Sequence, residues 1–198
     1  MEGFVLAGGA SLRMGRDKSL EVVGGLTLLE RAVATLQQAG LTVRAVRAAG
    51  GEGEPAGCPV VIDAVADAGP LGGLFTALTV SSSDASAILA CDLPLATPGL
   101  FRSLRDLLGD FDAAAPLDSS GQIHPLCAVY KKSCLPAVAR RVTGRRLKTI
   151  SLLTSGEIRC RLVPPRLHRL PDWRFLNVNS PSDLERLSRL SPDWDSSA

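Results

Sequence analysis

Leu6-Ala7-Gly8-Gly9-Ala10-Ser11-Leu12-Arg13-Met14-Gly15-Arg16-Asp17-Lys18 follows directly on the apolar run Phe4-Val5-Leu6. The run reads as one buried strand, and the glycine-rich residues after it read as a flexible turn with exposed amides and fixed cations. Where glycine leaves no side chain in the way, backbone N–H groups can approach phosphate oxygens closely, so a loop of this kind at a strand end suits a triphosphate. The common nucleotide fingerprints are absent: Arg16-Asp17 separates Gly15 from Lys18, which breaks the Walker pattern, and no G-x-G-x-x-G occurs here. On spacing alone, a generic glycine turn stays open.

Beyond this loop, apolar runs alternate with helical stripes. Leu28, Leu29, Ala32, Val33 and Leu36 recur at helical spacing, with Gly40 placed to stop the helix. Leu41–Val46 and Val60-Val61-Ile62 read as strands, the latter ending at Asp63, with an exposed loop over 50–55 between them. A helix is expected after Gly69-Pro70-Leu71-Gly72-Gly73. Ala87-Ile88-Leu89-Ala90, continuous in hydrophobicity, is expected to be a strand buried on both faces and to end at Cys91-Asp92. Later come a helical stripe over 100–108, strands near 111–115, 125–130 and 159–163, a helix near 137–142, a segment of unassigned type over 149–154, and a last helix opened by Ser180 as N-cap and Pro181. The alternation predicts a layered α/β fold with a mostly parallel sheet, whose ligand crevice lies at the carboxyl ends of the strands. Gly8 to Lys18, Asp63 and Asp92 each come just after a strand, so this rule gathers them on one edge.

Length and composition bound the rest. The 198 residues predict a single domain over 1–198, with a disordered tail at about 192–198. Aromatic residues make up only 4% of the chain, which suits an interior of small and aliphatic side chains. No apolar run is long enough to cross a bilayer, and no leader-like segment precedes the loop. The five cysteines are scattered without a C-x-x-C pair, favouring reduced thiols and a cytoplasmic location. The net charge of +2 conceals a basic stretch: residues 131–174 carry 12 Lys/Arg against Glu157 and Asp172. That stretch is either a solvated rim or a surface for an anionic substrate. Nucleic acid is disfavoured by the near absence of stacking aromatics and of a recognisable binding module.

Five blocks occur in order: residues 6–18; Asp63 with Gly69-Pro70-Leu71-Gly72-Gly73-Leu74; Ala90-Cys91-Asp92-Leu93-Pro94; His124-Pro125-Leu126-Cys127-Ala128-Val129-Tyr130; and Asn177-Val178-Asn179-Ser180-Pro181. Together they resemble the signature of the molybdenum cofactor guanylyltransferases, over about residues 3–190. The resemblance implies a Rossmann-like three-layer nucleotidyltransferase fold. It also implies an activity, transfer of GMP from GTP to the terminal phosphate of the molybdopterin cofactor, with pyrophosphate released and Mg²⁺ required. Molybdoenzyme apoproteins or cofactor-delivery proteins would be further partners.

Residue by residue, the resemblance makes Asp92 the metal ligand and a nucleotide contact, and Arg13 and Lys18 the cations that hold the triphosphate and the departing pyrophosphate. Leu6, Ala7 and Gly8 would touch the nucleotide through backbone atoms. Gly9 belongs to an L-A-G-G pattern that favours a purine over the L-A-A-G of cytidylyl-transferring relatives. Asp63 would contact the nucleotide or else be a structural loop acid. His124, Asn177 and Asn179 fall in blocks that face the acceptor, though a strand start and turn residues are equally open. Arg145 and Arg146, with Arg140, Arg141 and Lys148, would meet the acceptor's phosphate. Asp17 either orients Lys18, assists the metal or is an exposed loop acid. An asparagine common in the family after the second strand is missing from Arg44-Ala45-Val46-Arg47-Ala48-Ala49, so CTP in place of GTP stays open, and a backbone contact or Arg47 would substitute. Another metabolite phosphate as acceptor, and a carrier that binds nucleotide or cofactor without turnover, are the remaining alternatives.

The chemistry suits these residues. The nucleophile is a phosphate oxygen, already anionic near neutral pH, so no general base is needed. The work left is to align two anions and neutralise charge as the α–β bond breaks.

Overall fold

The computed structural model describes residues 1–8, 17–49 and 57–190. Seven strands form the central sheet in the order β5-β4-β1-β6-β8-β7-β9: β1 (Glu2–Leu6), β4 (Thr42–Arg47), β5 (Val60–Ile62), β6 (Ala85–Ala90), β7 (Ala113–Pro116), β8 (Cys127–Lys131) and β9 (Cys160–Val163). A separate two-stranded hairpin pairs β2 (Val22–Val23) with β3 (Leu26–Thr27). All pairings in the main sheet are parallel except those of β8, which runs antiparallel to both β6 and β7. The mostly parallel α/β fold predicted from the sequence is therefore the one formed.

Alternation along the strands divides the core into two faces. Val5, Ala87, Leu89 and Val129 pack with α1 (Leu28–Gln38) and α3 (Pro98–Leu108) on one side. Phe4, Leu6, Ile88, Ala128 and Tyr130 pack with α2 (Gly69–Val80), α4 (Leu135–Thr143) and α5 (Thr149–Thr154) on the other. Because both faces are covered, the strands read as continuous apolar runs. Two short helices complete the chain, α6 (Pro165–His168) and α7 (Pro181–Leu190). A third cluster joins Val23, Leu28, Leu95, Val178 and Leu187, and so fastens the hairpin and α7 over the sheet edge.

Local chemistry sets the helix ends. Thr27 caps α1 in a full capping box with Glu30, and Gly40, at φ +83°, comes after its last turn. The Asp183 amide donates to Ser180 Oγ at 3.3 Å while Ser180 Oγ donates to the Asp183 carboxylate at 2.7 Å, so the expected start of α7 is built. In α2, a Cβ on Gly72 would lie 2.8 Å from Ala68 Cβ and 3.1 Å from the Val65 carbonyl oxygen. The crowding outweighs the helix propensity gained by alanine. Gly72→Ala is expected to cost about 1–2 kcal/mol and lower Tm by roughly 2–8 °C. A variant melting at or above the wild-type temperature in a thermal scan would refute this packing.

The order of strands matters for function. From β1 the chain moves outward to β4 and β5, then returns to place β6 on the opposite side of β1. The reversal between β1 and β6 is a switch point, and ligands of open α/β sheets bind beyond the strand ends there. The loop that begins at Ala7 and the Cys91-Asp92 pair leave the sheet at this point, tied by a Cys91 N–H to Leu6 carbonyl hydrogen bond of 3.1 Å.

Candidate active site

Three segments far apart in sequence meet above β1 and β6. Lys18 opens a 3₁₀ turn over Lys18–Leu20, whose N-cap Asp17 accepts from the Ser19 amide at 2.9 Å. Asp92 stands just past the end of β6, and its main-chain carbonyl accepts from the Val178 N–H at 2.8 Å. That bond, together with burial of Val178, seats the 177–179 segment beside Asp92. Lys18 Nζ then donates to Asp92 Oδ2 at 2.9 Å, to Asn179 Oδ1 at 2.9 Å and to the Val178 carbonyl at 3.4 Å. One ammonium thus joins the loop, the strand-end carboxylate and the late turn.

The other Asp92 oxygen is as informative. Oδ1 is buried and accepts no hydrogen bond among the described residues. Burying a carboxylate oxygen without a partner is costly, and a cation there would remove the cost. No group of three or more His, Cys, Asp or Glu side chains stands ready to cage a metal among the described residues. A single carboxylate is the donor set Mg²⁺ takes when substrate phosphates and water complete its octahedron. Neighbouring Cys91 does not compete as a ligand, because burial pushes its thiol up to about 12.

A sequence model of the MobA-like NTP transferase domain matches residues 3–155. The chain belongs to the MobA-like NTP transferase family. A probable molybdenum cofactor guanylyltransferase from Pelotomaculum thermopropionicum is 33% identical over 184 residues, covering 92% of this chain and 89% of that protein. In fold, the chain is similar to molybdopterin-guanine dinucleotide biosynthesis protein A from Archaeoglobus fulgidus, with TM-score 0.78, 21% identity and coverage of 98% and 100%. It is also similar to Rv0371C of Mycobacterium tuberculosis H37Rv, solved as a complex with manganese, with TM-score 0.68, 20% identity and coverage of 95% and 97%.

The other expected site residues of this MobA-like transferase are spread along the same sheet edge and beyond it. Gly9 and Arg13 lie outside the described residues, as do the 50–55 loop and the 192–198 tail. The Leu6 carbonyl and the Ala7 N–H are used within the sheet, so Gly8 is the first residue past the ladder. A Cβ on Gly8 would sit 3.3 Å from the Ala48 amide nitrogen, which ties that glycine to close backbone approach. Asp63 accepts from Thr76 Oγ1 at 2.6 Å and from the Val65 N–H at 3.1 Å, anchoring the turn after β5 to α2. It stands two strands from β1, roughly 10 Å across the sheet.

Asn177 is exposed and directly precedes Val178 in the chain, whereas Asn179 touches Lys18 directly. Arg145 and Arg146 occupy the connection between α4 and α5, where Arg146 lies 3.4 Å from Glu157. Arg141, within the same basic stretch, is buried and holds Ser151, Ser155 and Glu157 together. None of these arginines bonds to Lys18 or Asp92 among the described residues.

His124 precedes β8 and stacks on Phe175 with ring centroids 4.3 Å apart, its Nε2 3.3 Å from Asp118. Burial lowers its pKa below the usual histidine value, and the pull of Asp118 in the other direction only partly offsets this. The folded state therefore binds fewer protons than the unfolded chain just below pH 6.5, so stability falls as pH drops through that region. His124→Phe is expected to flatten the slope, checked by denaturant unfolding at pH 7.5, 6.5 and 5.5. A slope unchanged in the variant would assign it to another group.

Sequence reasoning missed one contributor and gave another a different partner. The Val178 main chain, whose N–H and carbonyl fasten Asp92 and Lys18, carries no side-chain signature. Arg47, offered by the sequence as a substitute for the missing asparagine, has a buried guanidinium that forms an ion pair with Asp17, next in sequence to Lys18.

Proposed function

We propose that the chain transfers GMP from GTP to the terminal phosphate of the molybdopterin cofactor, releasing pyrophosphate. The observation that supports this most is the shared ammonium of Lys18, held by Asp92 Oδ2 and Asn179 Oδ1 at the switch point of the sheet. In this reading Lys18 exchanges its carboxylate partner for phosphate oxygens when nucleotide arrives, and Arg13 supplies a second cation. Asp92 would hold Mg²⁺ through Oδ1, and the ion would supply neutralisation of phosphate charge. Gly8 and Gly9 would let the backbone close on the nucleotide, with Leu6 and Ala7 as further backbone contacts. Asp63 supports the nucleotide side from its anchor on α2.

On the acceptor side, Asn177 and Asn179 offer amides that donate and accept, and Arg145 and Arg146 offer charge at longer range. His124 is neutral and buried at neutral pH, which favours a packing role at the start of β8. His168 uses both ring nitrogens on the Leu117 carbonyl and the Leu170 amide. Neither histidine is offered as a base, and an anionic phosphate nucleophile requires none. Among the described residues no helix is long and apolar enough to cross a membrane. A cytoplasmic location remains part of the proposal, as do apoenzymes or delivery proteins that would take the product.

The names of the curated relatives favour GTP over CTP. The test is pyrophosphate release with each of the four nucleoside triphosphates, Mg²⁺ and molybdopterin. Release with GTP well above the other three is expected. Preference for CTP would reassign the base, and tight GTP binding without release would favour a carrier.

A further inference from the structure

Arg47 ends β4 at the same sheet edge as the site, yet its side chain is only 2% exposed, so it is shielded from a ligand arriving from solvent. Its guanidinium instead pairs with Asp17 Oδ2. The remaining oxygen of Asp17 accepts from the Ser19 amide at 2.9 Å and so caps the 3₁₀ turn that begins with Lys18. The Arg47 main chain is fixed as well, its carbonyl accepting from the Asp63 N–H at 2.7 Å. The start of the glycine loop lies against the same residue: a Cβ on Gly8 would come 3.9 Å from Arg47 Cα. A guanidinium rooted in the sheet thus holds one oxygen of the carboxylate immediately before Lys18. Arginine suits this task, because its guanidinium stays charged when buried and presents its donors in a rigid planar fork.

We propose that Arg47 is a positioning residue, which acts through Asp17 to fix the segment carrying Lys18, so that the ammonium meets the triphosphate in register. The assignment rests on the nucleotidyltransferase reading above. It also gives the position where the family's asparagine is missing a task other than contact with the base. A lysine at 47 would keep the charge and lose the fork. A glutamine would lose both.

The test is a cycle of kcat/KM for GTP in which Arg47→Gln and Arg47→Lys are each measured with Lys18 present and in a Lys18→Gln background. With Lys18 present, R47Q is expected to lose 10- to 100-fold and R47K to recover to within about fivefold of wild type. In the K18Q background, R47Q is expected to lose less than threefold further, because the group it positions is gone. Asp17→Asn, which preserves the cap on Ser19, is expected to match R47Q within about threefold, and the D17N/R47Q double variant to be no worse than the worse single. Thermal melts accompany each variant, and if R47Q does not fold, R47K and D17N carry the same comparison.

An R47Q loss of equal size in both backgrounds would overturn the assignment in favour of a general structural role. Full activity of D17N alongside an impaired R47Q would overturn it in favour of direct ligand contact. A wild type that turns over GTP while the cycle is additive removes the Arg47 assignment alone. A wild type that releases pyrophosphate from no triphosphate removes the proposed function and this inference with it.

Discussion

Asp92→Asn is expected to lower kcat/KM for GTP on the order of 10³-fold, while leaving the fold intact. The size stems from the task the carboxylate is positioned to perform. Oδ1 is the buried, unpartnered oxygen that suits a cation, and Oδ2 is the partner of Lys18. Asparagine keeps the volume but neutralises both. The fold survives because Asp92 is seated by its main chain, through the Val178 N–H to Asp92 carbonyl bond at 2.8 Å and the neighbouring Leu93 N–H to Ala90 carbonyl bond at 3.1 Å. The lost ion pair is about one-fifth exposed on each side, but the Lys18 ammonium keeps Asn179 Oδ1 and the Val178 carbonyl as acceptors, which limits the loss of stability. A Tm within about 4 °C of wild type is therefore expected. Steady-state pyrophosphate release, with a thermal melt of the same preparation, checks both halves. Activity within threefold of wild type would remove Asp92 from the site.

Lys18→Gln is expected to lower kcat/KM for GTP about 10²- to 10³-fold and to tighten the binding of a divalent ion in the absence of nucleotide. The two effects run in opposite directions because Lys18 serves different partners in the two states. Without nucleotide its ammonium neutralises Asp92 at 2.9 Å, so an incoming cation must compete with it. With nucleotide, the proposed function places the ammonium on phosphate oxygens. A partly exposed pair of this kind is worth a few tenths to about 1 kcal/mol, so the gain in metal affinity should be about two- to fivefold. Titration with Mn²⁺ followed by electron paramagnetic resonance reads the metal alone, and pyrophosphate release reads turnover. Metal binding weakened together with turnover would mean that Lys18 supports the carboxylate instead of competing for it.

How much of this was legible beforehand depends on where the information lies. Continuous apolar runs such as Ala87–Ala90 fixed the existence of buried strands, and the carboxyl-edge rule placed Gly8, Asp63 and Asp92 on one rim without any coordinates. Strand direction is a different matter. Nothing in Cys127–Lys131 says that it runs against β6, because a run buried on both faces looks the same in either sense. The β2–β3 hairpin was missed because each strand is two residues long, although Gly24-Gly25, both at positive φ, carries the turn signal.

Within the site, the acidic and basic side chains were readable from their blocks, but their pairing was not. Lys18 and Asn179 are separated by 161 positions and meet only because Val178 is buried and bonded to the Asp92 carbonyl. The Arg141–Glu157 pair shows the opposite failure. A basic stretch that reads as a surface for anions includes one arginine that the fold uses internally.

The central claim is that Lys18, Asp92 and Asn179 together form the seat of a metal-bound triphosphate. A crystal structure of the chain with Mg²⁺ and a non-hydrolysable GTP analogue tests it most directly. The expected result is a cation on Asp92 Oδ1, phosphate oxygens within hydrogen-bonding distance of Lys18 Nζ, and the Lys18–Asp92 contact lengthened or lost. Ligand bound at another edge of the sheet, with Lys18 still on Asp92, would contradict it.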